Sequence, residues 1–478
     1  MIGIDIGTSY IKGAILDLDR LRLDHIQRVP FPATLPGLPP RFREHDPGEI
    51  LQAVRSLLEN LLAVDSDCTG IVLCSQMHGL VLTGGQGQPL SNFCSWQDQR
   101  ALLPHPSGKG SHFDLLSERI RPEERRLLGN ELRPGLPIGL LFGLAEQGLL
   151  PKGEVYPAAL PDFVLSNLCQ SRPVTEITHA MSHGLLNLET LDWHSEVIAR
   201  LGLDGLHWPA VQPHGAVVGR LKVNGRSIPC YTPVGDYQCA LLGALLRSRE
   251  LSLNISTGSQ VSLLRPGLDF GDFQTRPFFD GRFLACITHI PAGRSLNLLV
   301  RLLSELAEAQ GLSLDDPWSY ISRVAAEAHD NHLQVDLAFF KSSCGEAGQI
   351  ANIREDELTV GHLFRAAFQN MADNYYTSAL RISPAREWDR LVFSGGLAQK
   401  IPLLRELICA KFQSTYRTCP AAEDTLLGLL ALALVFSGRL PTVEAAVGVL
   451  EKQYHQESPP APLEKRGGIQ LPPFSRGD

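Results

Sequence analysis

The apolar residues at the start of the chain alternate with small or polar ones, a period of two that predicts a half-buried β-strand. Ile2, Ile4 and Ile6 would lie on its buried side. Residues 7–9 are small and polar and predict a tight turn, after which residues 11–18 form a second strand. The chain therefore begins with a predicted β-hairpin.

The turn of this hairpin has the composition of an anion-binding loop. Gly7 lets the backbone approach an anion closely, and Thr8 and Ser9 add hydroxyl donors. Lys12 adds a positive charge, and Asp5, directly before the turn, is placed to hold the water shell of a metal ion. An ordinary hairpin with an Asp near its bend stays open as the alternative, because Gly-Thr turns are common.

The same pattern recurs near the middle of the chain. Residues 253–257 (Leu-Asn-Ile-Ser-Thr) repeat the pattern of residues 4–8 (Ile-Asp-Ile-Gly-Thr) and again open a predicted hairpin. The match is short, so a chance similarity stays open. Both copies begin where a domain would begin, and mixed strands and helices follow each of them. We therefore predict two related α/β domains whose turns bind phosphates in a shared cleft.

Periods near 3.6 residues predict the helices. Asp46 and Pro47 form an N-cap and first-turn pair that opens a helix reaching residue 61. The apolar run from residue 426 to 436 has 11 residues, too few to cross a bilayer, and predicts a buried core helix.

A single carboxylate, Asp236, stands between a glycine and a helix-like run at residues 239–246. A carboxylate in that place either caps the helix or accepts a proton from a bound hydroxyl group. The two predicted phosphate-binding turns favour the second role.

Polar side chains follow predicted strands at two more places. Gln76, Met77 and His78 come directly after a buried strand, where open α/β sheets bind ligands. Residues 96–100 combine Trp96 with amides and charges, a composition that suits the hydroxyls and ring faces of a sugar. Each of these residues, taken singly, is more often an ordinary loop or core residue.

A Gly-Gly pair, Gly395 and Gly396, separates a predicted strand at residues 390–393 from a helix at 401–412. Without Cβ atoms, such a pair lets a flat base lie against the backbone. A plain strand-to-helix turn is the alternative.

Composition narrows the class of protein. A chain of 478 residues is long enough for two domains, and its net charge of −8 gives no basic surface for nucleic acid. The ten cysteines show no C-x-x-C spacing, which favours a reduced, cytoplasmic enzyme over a zinc site or a disulfide framework. The N-terminus has no basic segment ahead of its first strand, so no signal peptide is expected.

Taken in order, six short motifs resemble the FGGY carbohydrate kinases, which belong to the superfamily of actin, hexokinase and the heat-shock chaperone ATPases. The motifs are Asp5-Ile6-Gly7-Thr8-Ser9, Ser75-Gln76-Met77-His78-Gly79, Trp96-Gln97-Asp98-Gln99-Arg100, Gly235-Asp236-Tyr237-Gln238, Ser256-Thr257-Gly258 and Ser394-Gly395-Gly396. The resemblance runs from about residue 2 to about residue 450. It implies a two-domain, actin-like (ribonuclease H-like) α/β ATPase fold with a cleft between the lobes.

The implied domains are residues 1–238, on the sugar and Mg²⁺ side, and residues 239–455, on the nucleotide side, followed by a flexible tail at 456–478. The implied activity is the ATP-dependent phosphorylation of the terminal hydroxyl of a sugar. Residues 76–79 resemble the ketose-kinase branch, and residues 254–257 and 276–279, followed by 295–297, look most like the sedoheptulose kinases in it. The alternatives are a kinase that acts on xylulose or ribulose, and a catalytically inactive regulator of the same fold that binds a sugar.

The resemblance also implies roles for individual residues. Asp236 would be the general base, and Asp5 and Asp236 would lie around Mg²⁺. The sugar would contact Gln76, Met77, His78, Trp96, Asp98, Asp236 and Tyr237. ATP would contact Gly7, Thr8, Ser9, Lys12, Thr257, Gly258, Gly395, Gly396 and Lys400. Ser256 stands where many relatives have Gly, so the resemblance carries no phosphate contact at Ser256 itself. The implied partners are a ketose and ATP, without nucleic acid or membrane, in a monomer or homodimer.

Overall fold

Two mixed β-sheets, each built around an antiparallel hairpin, form the framework of the chain. The computed structural model describes residues 1–457 except residues 224 and 330. The strands up to residue 245 are β1 (Ile2–Ile6), β2 (Tyr10–Asp17), β3 (Arg22–Pro30), β4 (Glu44–His45), β5 (Ile71–Ser75), β6 (Val81–Thr83), β7 (Phe93–Cys94), β8 (Tyr156–Ala158), β9 (Val174–Glu176), β10 (Leu186–Asn187), β11 (Asp192–Trp193), β12 (Ala210–Gln212), β13 (Val217–Val223), β14 (Arg226–Tyr231) and β15 (Val234–Gly235). The helices of this part are α1 (Pro47–Val64), α2 (His112–Arg119), α3 (Pro122–Leu127), α4 (Pro137–Glu146), α5 (Leu160–Cys169), α6 (Ile177–Ser182), α7 (Ser195–Arg200) and α8 (Asp236–Gly243).

The rest of the described chain has a similar plan. Its strands are β16 (Glu250–Ile255), β17 (Ser259–Arg265), β18 (Gln274–Pro277), β19 (Phe283–Ile290), β20 (Gln334–Asp336), β21 (Gln349–Ala351), β22 (Arg390–Ser394) and β23 (Thr415–Thr418). Its helices are α9 (Gly293–Glu308), α10 (Pro317–Glu327), α11 (Val360–Ile382), α12 (Gly396–Lys400), α13 (Pro402–Phe412), α14 (Asp424–Phe436) and α15 (Val443–Glu457).

The two sheets repeat one arrangement of strands. The first has the order β13-β14-β5-β1-β2-β3, with β15 also paired to β5, and the second has the order β18-β19-β17-β16-β22-β23. In the first, β1 pairs antiparallel with β2 and parallel with β5. In the second, β16 pairs in the same way with β17 and β22. The two predicted hairpins and the prediction of an α/β fold are confirmed.

Helices α8 and α14 cross where the two halves meet. A Cβ atom at Gly243 would lie 1.7 Å from the carbonyl oxygen of Asp424, and one at Gly428 would lie 2.1 Å from that of Cys239. The two backbones are therefore in direct contact, which requires glycine at both positions. Helix α14 also packs on β1, β2 and β5 of the first sheet, so it links the two halves.

Helices α1 and α14 are present where the sequence predicts them. The Asp46 carboxylate accepts a hydrogen bond of 2.7 Å from Gly48 N–H at the start of α1, and Pro47 opens the helix. Helix α14 is the predicted apolar run, and Leu426, Leu429 and Leu430 are fully buried in it. The described residues contain no helix that combines the length and apolar character needed to span a bilayer.

Two of the predicted domain limits can be compared with the helices of the structure. The boundary between residues 238 and 239 falls inside α8 (Asp236–Gly243), and the division stays a prediction. The predicted tail begins at residue 456, but α15 continues to Glu457. The remainder of the predicted tail, residues 458–478, lies outside the described residues.

Candidate active site

Three aspartates meet where the two halves join. Asp5 is near the carboxyl end of β1, Asp236 is the first residue of α8, and Asp424 is the first residue of α14. Strands β1 and β15 both run parallel to β5, so their carboxyl ends meet at one edge of the sheet. The packing of α14 on this sheet brings the third carboxylate to the same edge.

The aspartates influence one another's ionisation. Burial raises the pKa of Asp236 to about 8, and the nearby charge of Asp5 adds to the shift. Burial raises the pKa of Asp424 to about 6, against the opposing charge of Lys12. Burial also raises the pKa of Asp5, although the Thr425 hydroxyl donates a hydrogen bond of 2.7 Å to its Oδ2. The site therefore favours a bound cation or proton.

Mg²⁺ fits this donor set. Carboxylate oxygens are the protein ligands that Mg²⁺ prefers, and the ion usually keeps several waters between itself and the protein. Oδ1 of Asp5 is buried and has no hydrogen-bond partner among the described residues, so it is available to such an ion or its water shell. Asp5 and Asp236 are the predicted ligands, and the carboxylate of Asp424 lies near both of them.

A tighter acidic cluster lies elsewhere and is already paired with an arginine. Among the described residues, only Glu44, Cys94 and Asp98 bring three potential ligand atoms within 4.8 Å of one another. The Arg100 guanidinium occupies the cluster, where it pairs with both carboxylates and donates a 3.6 Å hydrogen bond to Cys94 Sγ. Both carboxylates are therefore already paired with the guanidinium, which leaves the cluster a net charge of only −1.

A cavity of about 400 Å³ opens beside Asp236. Its lining comes from both halves of the chain: Thr8, Gln76, Met77, His78, Trp96, Arg133, Asp236, Tyr237, Ala240, Asn254, Gln260, Arg276, Thr288, His289, Asp424 and Thr425. Seven of the predicted site residues are therefore brought together in one place. The cavity is large enough for a sugar beside the reacting end of a nucleotide.

Asp98, a predicted sugar contact, has hydrogen-bond partners within the protein. Its carboxylate accepts a hydrogen bond of 2.8 Å from Arg43 N–H and several from Arg100. Among the described residues that line the cavity, Asp98 is not included. Its contacts hold the loop that carries Trp96, and its role as a sugar contact stays a prediction.

The first predicted phosphate turn is connected to the cavity. Trp96 Nε1 donates to Thr8 Oγ1 at 3.1 Å, and Thr8 Oγ1 donates to Gln76 Oε1 at 3.3 Å. Gln76 Nε2 in turn donates to the carbonyl oxygen of Gly7 at 3.3 Å. Gly7 is partly buried, whereas Thr8 and Ser9 are exposed beside the cleft. The turn and the predicted sugar residues thus form one hydrogen-bonded unit.

Lys12 faces the acidic group rather than the turn. Its ammonium lies 2.7 Å from Glu423, and each side chain keeps about a quarter of its surface exposed. Burial opposes the charge on Lys12, but the hydrogen bond to Glu423 and the charge of Asp5 outweigh it and raise the pKa of Lys12. Lys12 stays protonated and offsets part of the negative charge around Asp5.

The second turn and the Gly-Gly pair leave room for a nucleotide. Cβ atoms at Gly258 and Gly396 would meet no atom within 4 Å, so the backbone at both places borders open space. Gly395 has φ +86°, and a Cβ there would lie 2.4 Å from the carbonyl oxygen of Ile255. The strand-to-helix turn therefore requires glycine at 395, and Thr257 is exposed on the facing turn. Lys400 is the last residue of helix α12, which begins at Gly396.

One wall of the cavity is an ion-pair network centred on the buried Glu131. Arg276 Nε donates to Glu131 Oε2 at 2.9 Å, and its Nη2 bonds the other carboxylate oxygen. The guanidinium of Arg276 also lies over the Tyr237 ring, 4.8 Å from its centre. Arg133 lies 3.3 Å from the same carboxylate and 2.7 Å from His289 Nε2. His78 completes the wall, with Nε2 3.7 Å from Glu131 Oε1.

This wall carries a net positive charge. Burial alone would raise the pKa of Glu131, but the two guanidiniums lower it to about 2. Burial lowers the pKa of His289 to about 4 and that of His78 well below its usual value, and Arg133 adds to both shifts. Both histidines are therefore neutral at pH 7. Arg276 and Glu131 form a bidentate pair, so the charge of Arg133 remains.

Sequence reasoning missed Asp424, Glu131 and Arg133. Asp424 had a usable signal, because it precedes an apolar helix as Asp236 does. Glu131 and Arg133 had none, because their importance depends on a partner, Arg276, far away along the chain.

The comparisons with known proteins agree with this geometry. Residues 1–106 match the N-terminal domain of the FGGY family of carbohydrate kinases. Mouse sedoheptulokinase is 24% identical over 465 residues, which cover 86% of this chain and 92% of that protein. Gluconate kinase of Lactobacillus acidophilus has a structure that aligns with a TM-score of 0.79 and 18% identity over 95% of this chain and 96% of its own. The ligand-bound xylulose kinase of the same organism aligns with a TM-score of 0.79 and 17% identity, over the same shares of the two chains.

The chain is therefore a carbohydrate kinase, with the two-domain α/β fold of such enzymes. The resemblance to the FGGY carbohydrate kinases that the six motifs predicted is confirmed, because residues 1–106 match the N-terminal domain of that family. Carbohydrate kinases of this family use ATP as the phosphoryl donor and bind a sugar as the acceptor.

Proposed function

We propose that the chain transfers a phosphoryl group from ATP to the terminal hydroxyl of a ketose, with Asp236 as the general base. The observation that carries this proposal is the position of Asp236 in the sugar-sized cavity, at the start of α8 and beside two other carboxylates. Phosphoryl transfer requires alignment, neutralised phosphate charge and an acceptor for the hydroxyl proton.

Asp236 has the properties of that proton acceptor. With a pKa of about 8 in the ligand-free protein, its carboxyl group holds a proton at neutral pH. A cation among the aspartates would stabilise the carboxylate and lower this pKa. The carboxylate then orients the sugar hydroxyl and accepts its proton late in the transfer.

Asp5, Asp236 and Asp424 would hold Mg²⁺, directly or through its water shell. When bound, Mg²⁺ neutralises charge on the phosphates of ATP. Lys12, paired with Glu423, keeps the surroundings of Asp5 from becoming too negative to accept a nucleotide.

The two turns and the Gly-Gly pair would hold the nucleotide. Gly7, Thr8 and Ser9 offer backbone and hydroxyl donors on one side of the cleft, and Thr257 and Gly258 offer them on the other. Gly395 and Gly396 border open space beside the second turn and suit an adenosine. Lys400 lies one short helix further on and would approach the same nucleotide.

Sedoheptulose is the proposed ketose. Two features support it: the sequence similarity to mouse sedoheptulokinase and the row of Gln76, Met77 and His78 along the cavity. The pentuloses xylulose and ribulose are alternatives, because a five-carbon and a seven-carbon ketose present the same first carbons. The fold shared with a xylulose kinase supports these alternatives equally.

A second candidate function is the phosphorylation of a sugar acid. The specific observation is the charge of Arg133, which faces the cavity beside the already paired Arg276 and Glu131. A carboxylate at the end of the sugar remote from the reacting hydroxyl would complete this wall. The fold shared with a gluconate kinase makes gluconate the compound to test.

One experiment separates these functions. ADP release is measured with Mg-ATP alone and with sedoheptulose, xylulose, ribulose or gluconate. We expect the highest kcat/KM with sedoheptulose; a preference for gluconate would establish the sugar acid instead. Turnover indifferent to every sugar would indicate an actin-like ATPase, and no turnover would indicate an inactive regulator.

The variant Arg133→Met tests whether Arg133 binds a carboxylate or sugar hydroxyls. If Arg133 binds a carboxylate, the variant loses gluconate turnover by about 10²-fold or more and loses ketose turnover far less. If it binds sugar hydroxyls, it raises the KM of the ketose and leaves kcat closer to normal.

A further inference from the structure

A second cavity, of about 340 Å³, lies next to the one that holds Asp236. Thr288 lines both cavities, and no other described residue does so. The polar side chains of the second cavity come from both halves of the chain: Arg125, Asn130, Asp272, Gln274, Ser343 and Arg381. We call it the seam cavity, because it lies where these two parts of the chain meet. The proposed phosphoryl transfer makes no use of it.

A chain of hydrogen bonds with a fixed direction joins the two cavities. Arg133 can only donate, and its Nη1 lies nearer to His289 Nε2, at 2.7 Å, than to Nδ1, at 3.3 Å, so Nε2 is the unprotonated nitrogen. The neutral ring then carries its proton on Nδ1 and donates it to Thr288 Oγ1 at 2.9 Å. Thr288 Oγ1 therefore donates onward, to Gln274 Oε1 at 3.0 Å.

This chain of bonds leaves a free donor at the seam cavity. Gln274 Oε1 also accepts a bond of 3.2 Å from Thr288 N–H, which fixes the orientation of the amide. Its nitrogen, Nε2, has no acceptor among the described residues. The Ser343 hydroxyl contacts only the sulfur of Cys344, at 3.8 Å, within the described part of the chain. Two side chains of the seam cavity can therefore donate to a ligand.

The seam cavity also has a positive charge that the protein leaves unpaired. Arg381 and Asp272 form a bidentate pair at 2.8 and 3.1 Å, so their charges offset one another. Arg125 is exposed and takes part in none of the ion pairs between described residues. An anion with several oxygens would satisfy this guanidinium and the two free donors together, as a phosphate group does.

We propose that the seam cavity binds a small phosphorylated sugar and that this ligand raises the affinity of the neighbouring cavity for the acceptor sugar. The phosphate would contact Arg125 and Gln274. Asn130 Nδ2 donates to the carbonyl oxygens of Gly271 and Phe273 at 3.1 Å each, so Asn130 Oδ1 stays available to hydroxyl groups of the ligand. The volume is close to the 400 Å³ of the neighbouring cavity, which leaves room for a sugar beside the phosphate.

The coupling follows from two pairs of adjacent residues. Asn130 precedes Glu131 and Thr288 precedes His289, so the seam cavity adjoins the charged wall of the sugar cavity at two places. A ligand that contacts both halves of the chain there would hold this wall in place. By linkage, the acceptor sugar must then tighten the binding of the phosphorylated sugar by the same factor. The coupling rests on the proposed sugar site, whereas the binding itself does not.

Calorimetric titration of the full chain with ribose 5-phosphate, in the absence of ATP, tests the proposal. The terminal hydroxyl of this probe is already esterified, so it cannot act as the acceptor. We expect one site per chain, with an affinity well above that for inorganic phosphate. Saturation with the sugar that gives the highest kcat/KM should lower the Kd of ribose 5-phosphate about fivefold, and ribose 5-phosphate should lower the KM of that sugar equally.

Arg125→Met should weaken the binding of ribose 5-phosphate about tenfold or more and leave the basal kcat/KM for the sugar unchanged. The matched control is Arg126→Met, because Arg126 is also exposed but lies over the Phe270 ring, 4.8 Å from its centre, and lines neither cavity. Gln274→Glu keeps an oxygen for Thr288 and replaces the free donor with a negative charge, so it should lose binding as well.

Four results would overturn the proposal. No binding, or binding that Arg125→Met leaves intact, would remove the site. A probe that competes with the acceptor sugar would occupy the sugar cavity instead. Equal affinity for inorganic phosphate would make free phosphate the ligand, and tight binding without any effect on the sugar would remove the coupling. Because the titration needs no turnover, it gives a result even if the chain phosphorylates none of the tested sugars.

Discussion

The first hairpin of each half of the chain has the same strand pairing but different chemistry. In the first sheet Asp5 pairs with Lys12 across the hairpin, and in the second sheet Asn254 pairs with Gln260. Each residue also has a parallel neighbour, Cys74 for Asp5 and Ser394 for Asn254. The repeat has thus kept the backbone and replaced a charged pair with a neutral pair.

Helices α8 and α14, which cross between the halves, can be compared in the same way. Each begins with an aspartate, Asp236 in α8 and Asp424 in α14, and each has a glycine at the crossing point. The two repeated pairs of positions are Asp5 with Asn254 in the hairpins and Asp236 with Asp424 at the helix starts. Three of these four residues are carboxylates, and Asn254 is neutral. A site that binds both a cation and the negative phosphates of ATP needs this asymmetry, because a fourth carboxylate would repel the nucleotide.

The largest effect is expected at Asp236. Replacing it with Asn removes the proton acceptor and should lower kcat by about 10³-fold, while the KM of the sugar changes little. Asp424→Asn removes charge but no proposed proton acceptor, so its loss should be smaller, about tenfold. Steady-state kinetics with the best sugar and Mg-ATP measures both. Equal losses in the two variants would contradict the assignment of different roles.

The pair Asp5 and Asn254 provides the next test. Asp5→Asn should lower kcat by about 10²-fold and raise the Mg²⁺ concentration needed for half-maximal rate. Asn254→Asp should instead raise the KM of ATP about tenfold, because the added charge faces the phosphates. Titrations of Mg²⁺ and of ATP distinguish the two effects. A gain in activity for Asn254→Asp would show that the neutral residue is not needed.

Local patterns were sufficient to predict the framework of these halves. Hairpin β1–β2 and helix α1 follow from alternation and from an N-cap, which act between neighbours in the chain. The network of Glu131 with Arg133 and Arg276 was not predictable, because it joins residues 145 positions apart. The role of Asp98 as a sugar contact stays a prediction; the structure pairs that carboxylate with Arg100, two residues away.

The anchoring of the two helix starts differs and gives a smaller effect. Thr178 Oγ1 accepts a hydrogen bond of 2.8 Å from Gly235 N–H, next to Asp236, and donates to the buried Glu176. Asp424 instead accepts a hydrogen bond of 2.8 Å from Thr425 N–H in its own helix.

Thr178→Val should therefore lower kcat about fivefold with little change in the KM of the sugar, since Asp236 is no longer held in place. The matched control Thr178→Ser keeps the hydroxyl and should restore most of the rate. If Ser and Val behave alike, the loss comes from packing and Thr178 does not position Asp236.

The smallest effect is on stability, and it has a defined pH dependence. The pKa of Asp236 is raised from 3.8 to about 8 in the folded protein. The folded state therefore binds this proton more tightly than the unfolded state, and the free energy of unfolding falls as pH rises from about 4 to about 8.

Asp236→Asn cannot ionise and should escape this loss. Thermal unfolding without ligands should give similar Tm values for the variant and the native chain near pH 4. Near pH 9 the variant should be more stable, with a Tm higher by several degrees. Asp17→Asn is the control, because hydrogen bonds from the backbone N–H groups of Arg20 and Asp19 lower the pKa of that half-buried carboxylate and the variant should lose stability instead. A Tm difference for Asp236→Asn that does not vary with pH would contradict the raised pKa of Asp236, because the folded and unfolded states would then bind its proton equally.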